Sequence, residues 1–373
     1  METGSAKAKL VLGLCYQRGI GTEENVQEAV KWLRMAAEQG NTEAMYKLGG
    51  WYYYDGDDHQ EAVTWYRRAA EQGNAKAMYN LGECYEGGDG VEKNYQEAIK
   101  WYRRAAEQGH AEAQYVLGNC YYERNGVPQD YEKAAEWFTK SAGQGNSYAQ
   151  NLLGVCYNEG NGVPQDSNKA VQCYLKAAVQ GNPDAQNKLG GICFVGKDYE
   201  QAVKWFTKAA EQGHAGAQFP LGMCHHFGLG VEENQEKAIE WYTKAAEQGD
   251  FEAQNALGGI YFEEEDYKKA VKWYTKAAEQ GNSDAQYELG GCYYQGIGVP
   301  CNYEEAVKWF TKAAEQGNSD AQVRLGICYY EGTGVPCNYK QAIKWITKAV
   351  EQGEEDAKGL LDQLIKLSDL TKE

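Results

Sequence analysis

No stretch of about twenty consecutive apolar residues occurs in this 373-residue chain, so no segment is long enough to cross a bilayer as a helix. Positive charge is scarce as well: 37 lysines and arginines stand against 54 aspartates and glutamates, a net charge of −17. Nucleic acid and anionic membrane surfaces are held through basic patches, so neither is an expected partner. The N-terminus lacks the basic segment and apolar core of a secretion signal, because Leu10 to Cys15 already belongs to a repeated unit. No linker interrupts the chain. Nucleophile elbows, phosphate loops, zinc-ligand spacings and paired catalytic carboxylates are missing too. No enzyme activity is expected, and no catalytic residue, cofactor or metal site is assigned.

What the chain has instead is repetition. The dipeptide Leu-Gly recurs with glycines at Gly13, Gly49, Gly82, Gly118, Gly154, Gly190, Gly222, Gly258, Gly290 and Gly326, spaced by 32, 33 or 36 residues. At that period each unit is one supersecondary element that buries its apolar face against its neighbours. The ninth unit, Ser283 to Asn318, is representative. Ala285, Leu289, Cys292 and Tyr293 mark one face of a first helix, A; Gly296, Gly298, Val299 and Pro300 break it. Asn302 with Glu305 opens a second helix, B, in a capping-box-like start that recurs as Asn25/Glu28, Asp58/Glu61, Asn94/Glu97 and Asp198/Gln201. Ala306, Trp309, Phe310 and Ala313 are its expected apolar stripe, and Glu304 its expected ion-pair partner for Lys308. Gln316-Gly317 ends it as a left-handed cap.

The fold class is therefore an all-α solenoid of about ten two-helix repeats over residues 6–356, followed by a C-terminal capping helix over 357–367. Residues 1–5 read as a tag or unstructured lead, and 368–373 as a tail. Eleven cysteines cannot all pair within one chain. Seven of them (Cys15, Cys84, Cys120, Cys156, Cys224, Cys292 and Cys328) lie two residues after a Leu-Gly glycine and read as small buried hydrophobes. Cys301 and Cys337 fall in loops within reach of Cys292–Cys301 and Cys328–Cys337 bridges, but sister repeats carry Gln129 and Gln165 there, which favours free thiols. Unpaired thiols and the missing signal together favour a cytoplasmic location. The adjacent Cys224, His225 and His226 splay around a helix, so a core role is preferred to metal binding. Asp55, Asp57 and Asp58, and Glu263 to Asp266, read as solvated acidic turns, and Pro220 inside a helix A removes one hydrogen bond.

The repeated pattern, closest over residues 111–145 and 283–317, resembles the Sel-1-like repeat family, relatives of the tetratricopeptide repeats. The resemblance implies a right-handed α/α superhelix and an adaptor that assembles protein complexes. It also implies an alternative, a β-lactam-binding or hydrolysing protein of the family's cysteine-rich branch. There, disulfides join helix B to the next helix A; here Ala313 and Ala321 stand where those cysteines are expected. By analogy with related solenoids helix A lines the concave side. A second stripe on helix A, expected to point away from helix B, reads Tyr46/Tyr53, Tyr79/Glu86, Tyr115/Tyr122, Asn151/Asn158, Asn187/Phe194, Phe219/His226, Asn255/Phe262, Tyr287/Tyr294 and Val323/Tyr330. Aromatic and amide groups of this kind dominate interfaces. The residues assigned to partner binding are Tyr46, Tyr53, Tyr79, Tyr115, Tyr122, Asn151, Asn187, Phe194, Phe219, His226, Asn255, Phe262, Tyr287, Tyr294 and Tyr330. The expected chain is a monomer engaging a protein or peptide in its groove.

Overall fold

The computed structural model describes residues 5–370 and contains 21 helices and no strand among them. The Met1–Gly4 part of the lead and residues 371–373 of the tail lie outside the described residues. Two compact units divide between Leu189 and Gly190. The first holds α1 (Ala6–Arg18), α2 (Val26–Glu38), α3 (Thr42–Tyr54), α4 (His59–Glu71), α5 (Ala75–Gly87) and α6 (Tyr95–Glu107). It continues with α7 (Ala111–Glu123), α8 (Tyr131–Gly143), α9 (Ser147–Glu159) and α10 (Ser167–Val179), and the division falls inside α11 (Pro183–Val195). The second unit holds α12 (Tyr199–Glu211), α13 (Ala215–His226), α14 (Gln235–Glu247), α15 (Phe251–Glu263) and α16 (Tyr267–Glu279). After these come α17 (Ser283–Gln295), α18 (Tyr303–Glu315), α19 (Ser319–Glu331), α20 (Tyr339–Glu351) and α21 (Ala357–Leu370). Odd numbers up to α19 are A helices and even numbers are B helices; α21 runs past residue 367.

Caps fix the boundaries. Asn302 Oδ1 accepts from the Glu305 amide at 3.1 Å, and Asn25, Asp58, Asn94 and Asp198 make the equivalent bond. Helix B then stops where Gly317 adopts φ +97, a left-handed backbone that only glycine takes without steric cost. The ion pair on its wet face differs from expectation. Lys308 Nζ lies 2.6 Å from Glu305, at i−3, rather than pairing with Glu304.

The Leu-Gly glycine explains its own recurrence. A Cβ on Gly290 would lie 2.6 Å from Phe310, and one on Gly326 would lie 2.6 Å from Ile346. Tyr66, Tyr102, Phe138, Tyr174, Phe206, Tyr242 and Tyr274 occupy the same place over their own repeats' glycines. These helix-B side chains are the knobs of the core, all between 0% and 4% exposed. The tryptophan one residue earlier, expected in the apolar stripe with the knob, is only partly buried in the fourth, sixth, seventh, eighth and ninth repeats. Its outer ring face carries a cation from the next turn, as Lys312 over Trp309 at 3.8 Å and Lys244 over Trp241 at 4.0 Å.

A buried amide relay fastens successive repeats. Gln286, 4% exposed, donates to the Ala278 carbonyl of the preceding helix B at 3.0 Å and accepts from Gln316 of its own helix B at 2.8 Å. Gln114, Gln150, Gln254 and Gln322 do the same. The second and third repeats carry Met45 and Met78 in that place.

Pro220 lies in the second turn of α13, which continues to His226. Asp58 and Asp266, read as members of acidic turns, serve as N-caps of α4 and α16.

Candidate functional site

The helix-A stripe does not point wholly away from helix B. Its positions fall three residues before and four after the Leu-Gly glycine, which is the glycine's own face of the helix. They therefore flank the knob. Tyr46 lies 6.2 Å from Tyr66 between ring centres, Phe219 lies 5.6 Å from Tyr242, and Tyr287 lies 5.9 Å from Phe310. Tyr122, Phe194, His226 and Tyr294 touch the same knobs from the other side. Tyr122, Phe194, Phe262, Tyr294 and Tyr330 also meet the first aromatic of the following B helix. Asn151 is buried at 7% exposure, whereas Tyr53, Tyr79, Tyr115, Asn187, Asn255 and the others keep part of their surface.

Some hydroxyls are committed to neighbours. Tyr53 donates to Asp89 at 2.8 Å, Tyr79 to Glu83 at 2.9 Å and Tyr122 to Glu159 at 3.2 Å. The first and last of these join adjacent repeats. Tyr79 also stacks on His110 at 5.0 Å.

Two recesses open beside this stripe. One, of about 530 Å³ in the first unit, is lined by Glu86, Tyr95, Ile99, Tyr102, Tyr115 and Asn119 among others. A smaller one of about 260 Å³ in the second unit involves Phe219, His226, Tyr242, Glu252, Asn255 and Glu263. Sequence reasoning missed Tyr95 and Tyr102, because helix B contributes them and no local periodicity ties them to helix A. Among the described residues no three histidine, cysteine or acidic side chains gather as a metal site. His225 is buried, and that burial lowers its pKa below the ordinary 6.5.

All eleven cysteines are free thiols. Cys84, Cys156, Cys224, Cys292 and Cys328 are buried, while Cys15 and Cys120 are only partly so. Desolvation pushes the Cys84 and Cys156 thiols up to about 12 and Cys292 up to about 11. Cys301 and Cys337 are exposed, and each Sγ meets a carbonyl at the end of helix A, Tyr294 O at 3.4 Å and Tyr330 O at 3.2 Å. Gln129 and Gln165 donate to the same carbonyls in their repeats. The loop position therefore serves an orphan carbonyl, whichever residue fills it.

Comparison with known families is decisive for the fold. The Sel1 repeat matches ten consecutive segments, from 6–41 to 319–354 without a gap. This chain belongs to the Sel1 repeat family. Proteins with this repeat fold are generally protein-interaction scaffolds. Among solved structures, a protective antigen of uropathogenic Escherichia coli displaying an SLR fold is 39% identical. The match covers 98% of this chain and 88% of that one, at a TM-score of 0.60. A Sel1 repeat protein from Oxalobacter formigenes is 37% identical over 87% of this chain and 93% of that one, at 0.59. A sel1-like repeat-containing protein of Acanthamoeba polyphaga mimivirus is 45% identical over 40 residues, 11% of this chain and 7% of that protein. No helix among the described residues is long and apolar enough to cross a membrane.

Proposed function

We propose that this Sel1 repeat chain is a non-enzymatic adaptor that holds a segment of a partner protein against the helix-A stripe. The observation that carries the reading is the pair of recesses, which open beside Tyr115 in one unit and beside Phe219, His226 and Asn255 in the other. Concave, largely apolar sites with a few convergent polar groups are where ligands bury surface. Thiols held near 11 or 12 stay protonated at neutral pH, so the buried cysteines are poor nucleophiles.

The test compares faces. Tyr115→Ala with Tyr122→Ala alters the stripe, and Trp309→Ala alters the outer side of helix B. Affinity purification from the native host, with bound protein identified by mass spectrometry, should lose the partner in the first variant and keep it in the second, both being helical by circular dichroism. The opposite pattern would refute the assignment. A stripe anchor of interface type contributes about 2 kcal/mol or more.

A further inference from the structure

We propose that each of the two recesses is an arginine pocket, taking one guanidinium side chain of the partner segment; the inference rests on the scaffold reading above. In the first recess Glu86 is the one charged side chain of the lining, and no lysine or arginine contributes. Glu86 Oε2 accepts from the Tyr102 hydroxyl at 2.6 Å, and Tyr102 is 2% exposed. Burial, together with that bond, holds the phenol far above its ordinary pKa, so it remains a donor and fixes the carboxylate's orientation. Among the described residues no lysine or arginine forms an ion pair with Glu86. Tyr115, partly exposed, presents ring surface beside it, while Tyr102 is buried beneath and Lys93 already lies over the third ring, Tyr95, at 4.9 Å.

A preset carboxylate beside an aromatic wall asks for a planar cation. A guanidinium forms paired hydrogen bonds to the carboxylate and stacks flat on a ring at once, whereas an ammonium, which also sits over rings, lacks the planar fork that does both together. A neutral side chain covering the recess would leave Glu86 desolvated and uncompensated. The second recess shares the acidic and aromatic lining without the hydroxyl–carboxylate bond: Phe219, Phe227 and His226 stand with the carboxylates Glu252 and Glu263, again with no lysine or arginine in the lining. The ring contact occurs within the chain itself, where Arg324 lies 5.8 Å over the stripe residue Tyr294, as Arg34, Arg68 and Arg104 lie over Tyr52, Trp65 and Trp101. Its net charge of −17 favours the approach of a basic segment.

Ile99 lines the first recess and Ile260 the second, so isoleucine δ1-methyl NMR on the full chain reads the two separately. The probes are the capped tripeptide glycyl-arginyl-glycine amide and its citrulline and lysine counterparts. Citrulline keeps the shape and loses the charge. The arginine peptide should shift both methyls saturably, and citrulline should bind about tenfold more weakly or worse. Glu86→Gln retains an acceptor for Tyr102; it should silence Ile99 and leave Ile260 responsive. Equal binding of citrulline or lysine, an Ile99 response unaffected by Glu86→Gln, or silence of both methyls would each overturn the inference. Silent methyls combined with partner capture that still depends on Tyr115 and Tyr122 would sink the arginine assignment alone and leave the scaffold reading standing.

Discussion

Replacing a helical glycine by alanine ordinarily stabilises a protein, by about 0.5–1 kcal/mol, because the unfolded chain loses freedom. Adjacent glycines in α17 should respond with opposite signs. A Cβ on Gly291 meets nothing within 4 Å, so Gly291→Ala should gain that amount. At Gly290 the new methyl would sit 2.6 Å from both Cδ1 and Cε1 of Phe310, and 3.3 Å from the Ala306 carbonyl oxygen. Phe310 is 1% exposed and has nowhere to move. Overpacking of this kind costs about 1–3 kcal/mol, so Gly290→Ala should be destabilising by roughly 0.5–2 kcal/mol after the helical gain is set against it. Shortening the knob should release the clash, making Gly290→Ala less harmful in a Phe310→Leu background than alone. Hydrogen exchange of α17 and α18 suits the measurement, since a repeat array need not unfold in one step. A Gly290→Ala protein with protection equal to or above the parent's would refute the knob-on-glycine account, as would the absence of any rescue.

Gln254→Met, which installs the residue found in the second and third repeats, should remove the side-chain donor of the Ala246 carbonyl, which keeps the Gly249 amide, and the acceptor of the Gln280 amide, costing about 0.5–1.5 kcal/mol for each bond lost; exchange of the α15 and α16 amides would report it, and unchanged protection would dismiss the relay. At neutral pH a thiol reagent should modify exposed Cys301 and Cys337 first, and buried Cys84 and Cys156 only on unfolding, as peptide mapping by mass spectrometry would reveal. His110 Nδ1 accepts from the Ala113 amide at 3.3 Å, and burial lowers its pKa below 6.5, with Glu112 opposing and Lys76 assisting. The unfolded chain then takes up the proton first as pH falls through 6.5, so this contribution is complete above that pH and is lost on acidification. Exchange at the start of α7 should accelerate between neutral and mildly acid pH, and His110→Asn should flatten the dependence; an unchanged slope would count against the cap.

The repeat boundaries, caps and helix pairing were legible because local residues make them: Asn302 caps Glu305 three residues on, and Gly317 turns the chain where it stands. Other features depended on who faces whom. Glycine adds nothing to an apolar stripe, so the face it opens for Phe310 was invisible. Trp309 was consequently given the same standing in the stripe as Phe310, and Tyr287 was placed on the far side. The amide pairs were hidden for a different reason, since Gln316 and Gln286 lie thirty positions apart and each looks like an ordinary polar residue of a helix. Glu86 beside Tyr102 is likewise a meeting of two helices.

The relay also sets a rule for exchanging cassettes. Excision of residues 283–318 would bring Gln322 to the Ala278 carbonyl that Gln286 now serves, and the seam would keep the same hydrogen bonds. Transplanting residues 42–74 into that gap would instead set the thioether of Met45 against the carbonyl and leave it the Gly281 amide as its donor, without a side-chain bond across the seam. Copies from the glutamine-bearing stretch are thus interchangeable parts, while those from the methionine-bearing stretch bring no side-chain donor to the repeat before them and still receive one from a glutamine repeat after them, as Ala106 does from Gln114. Lengthening or shortening of the array therefore leaves a side-chain bond across some joints and none across others.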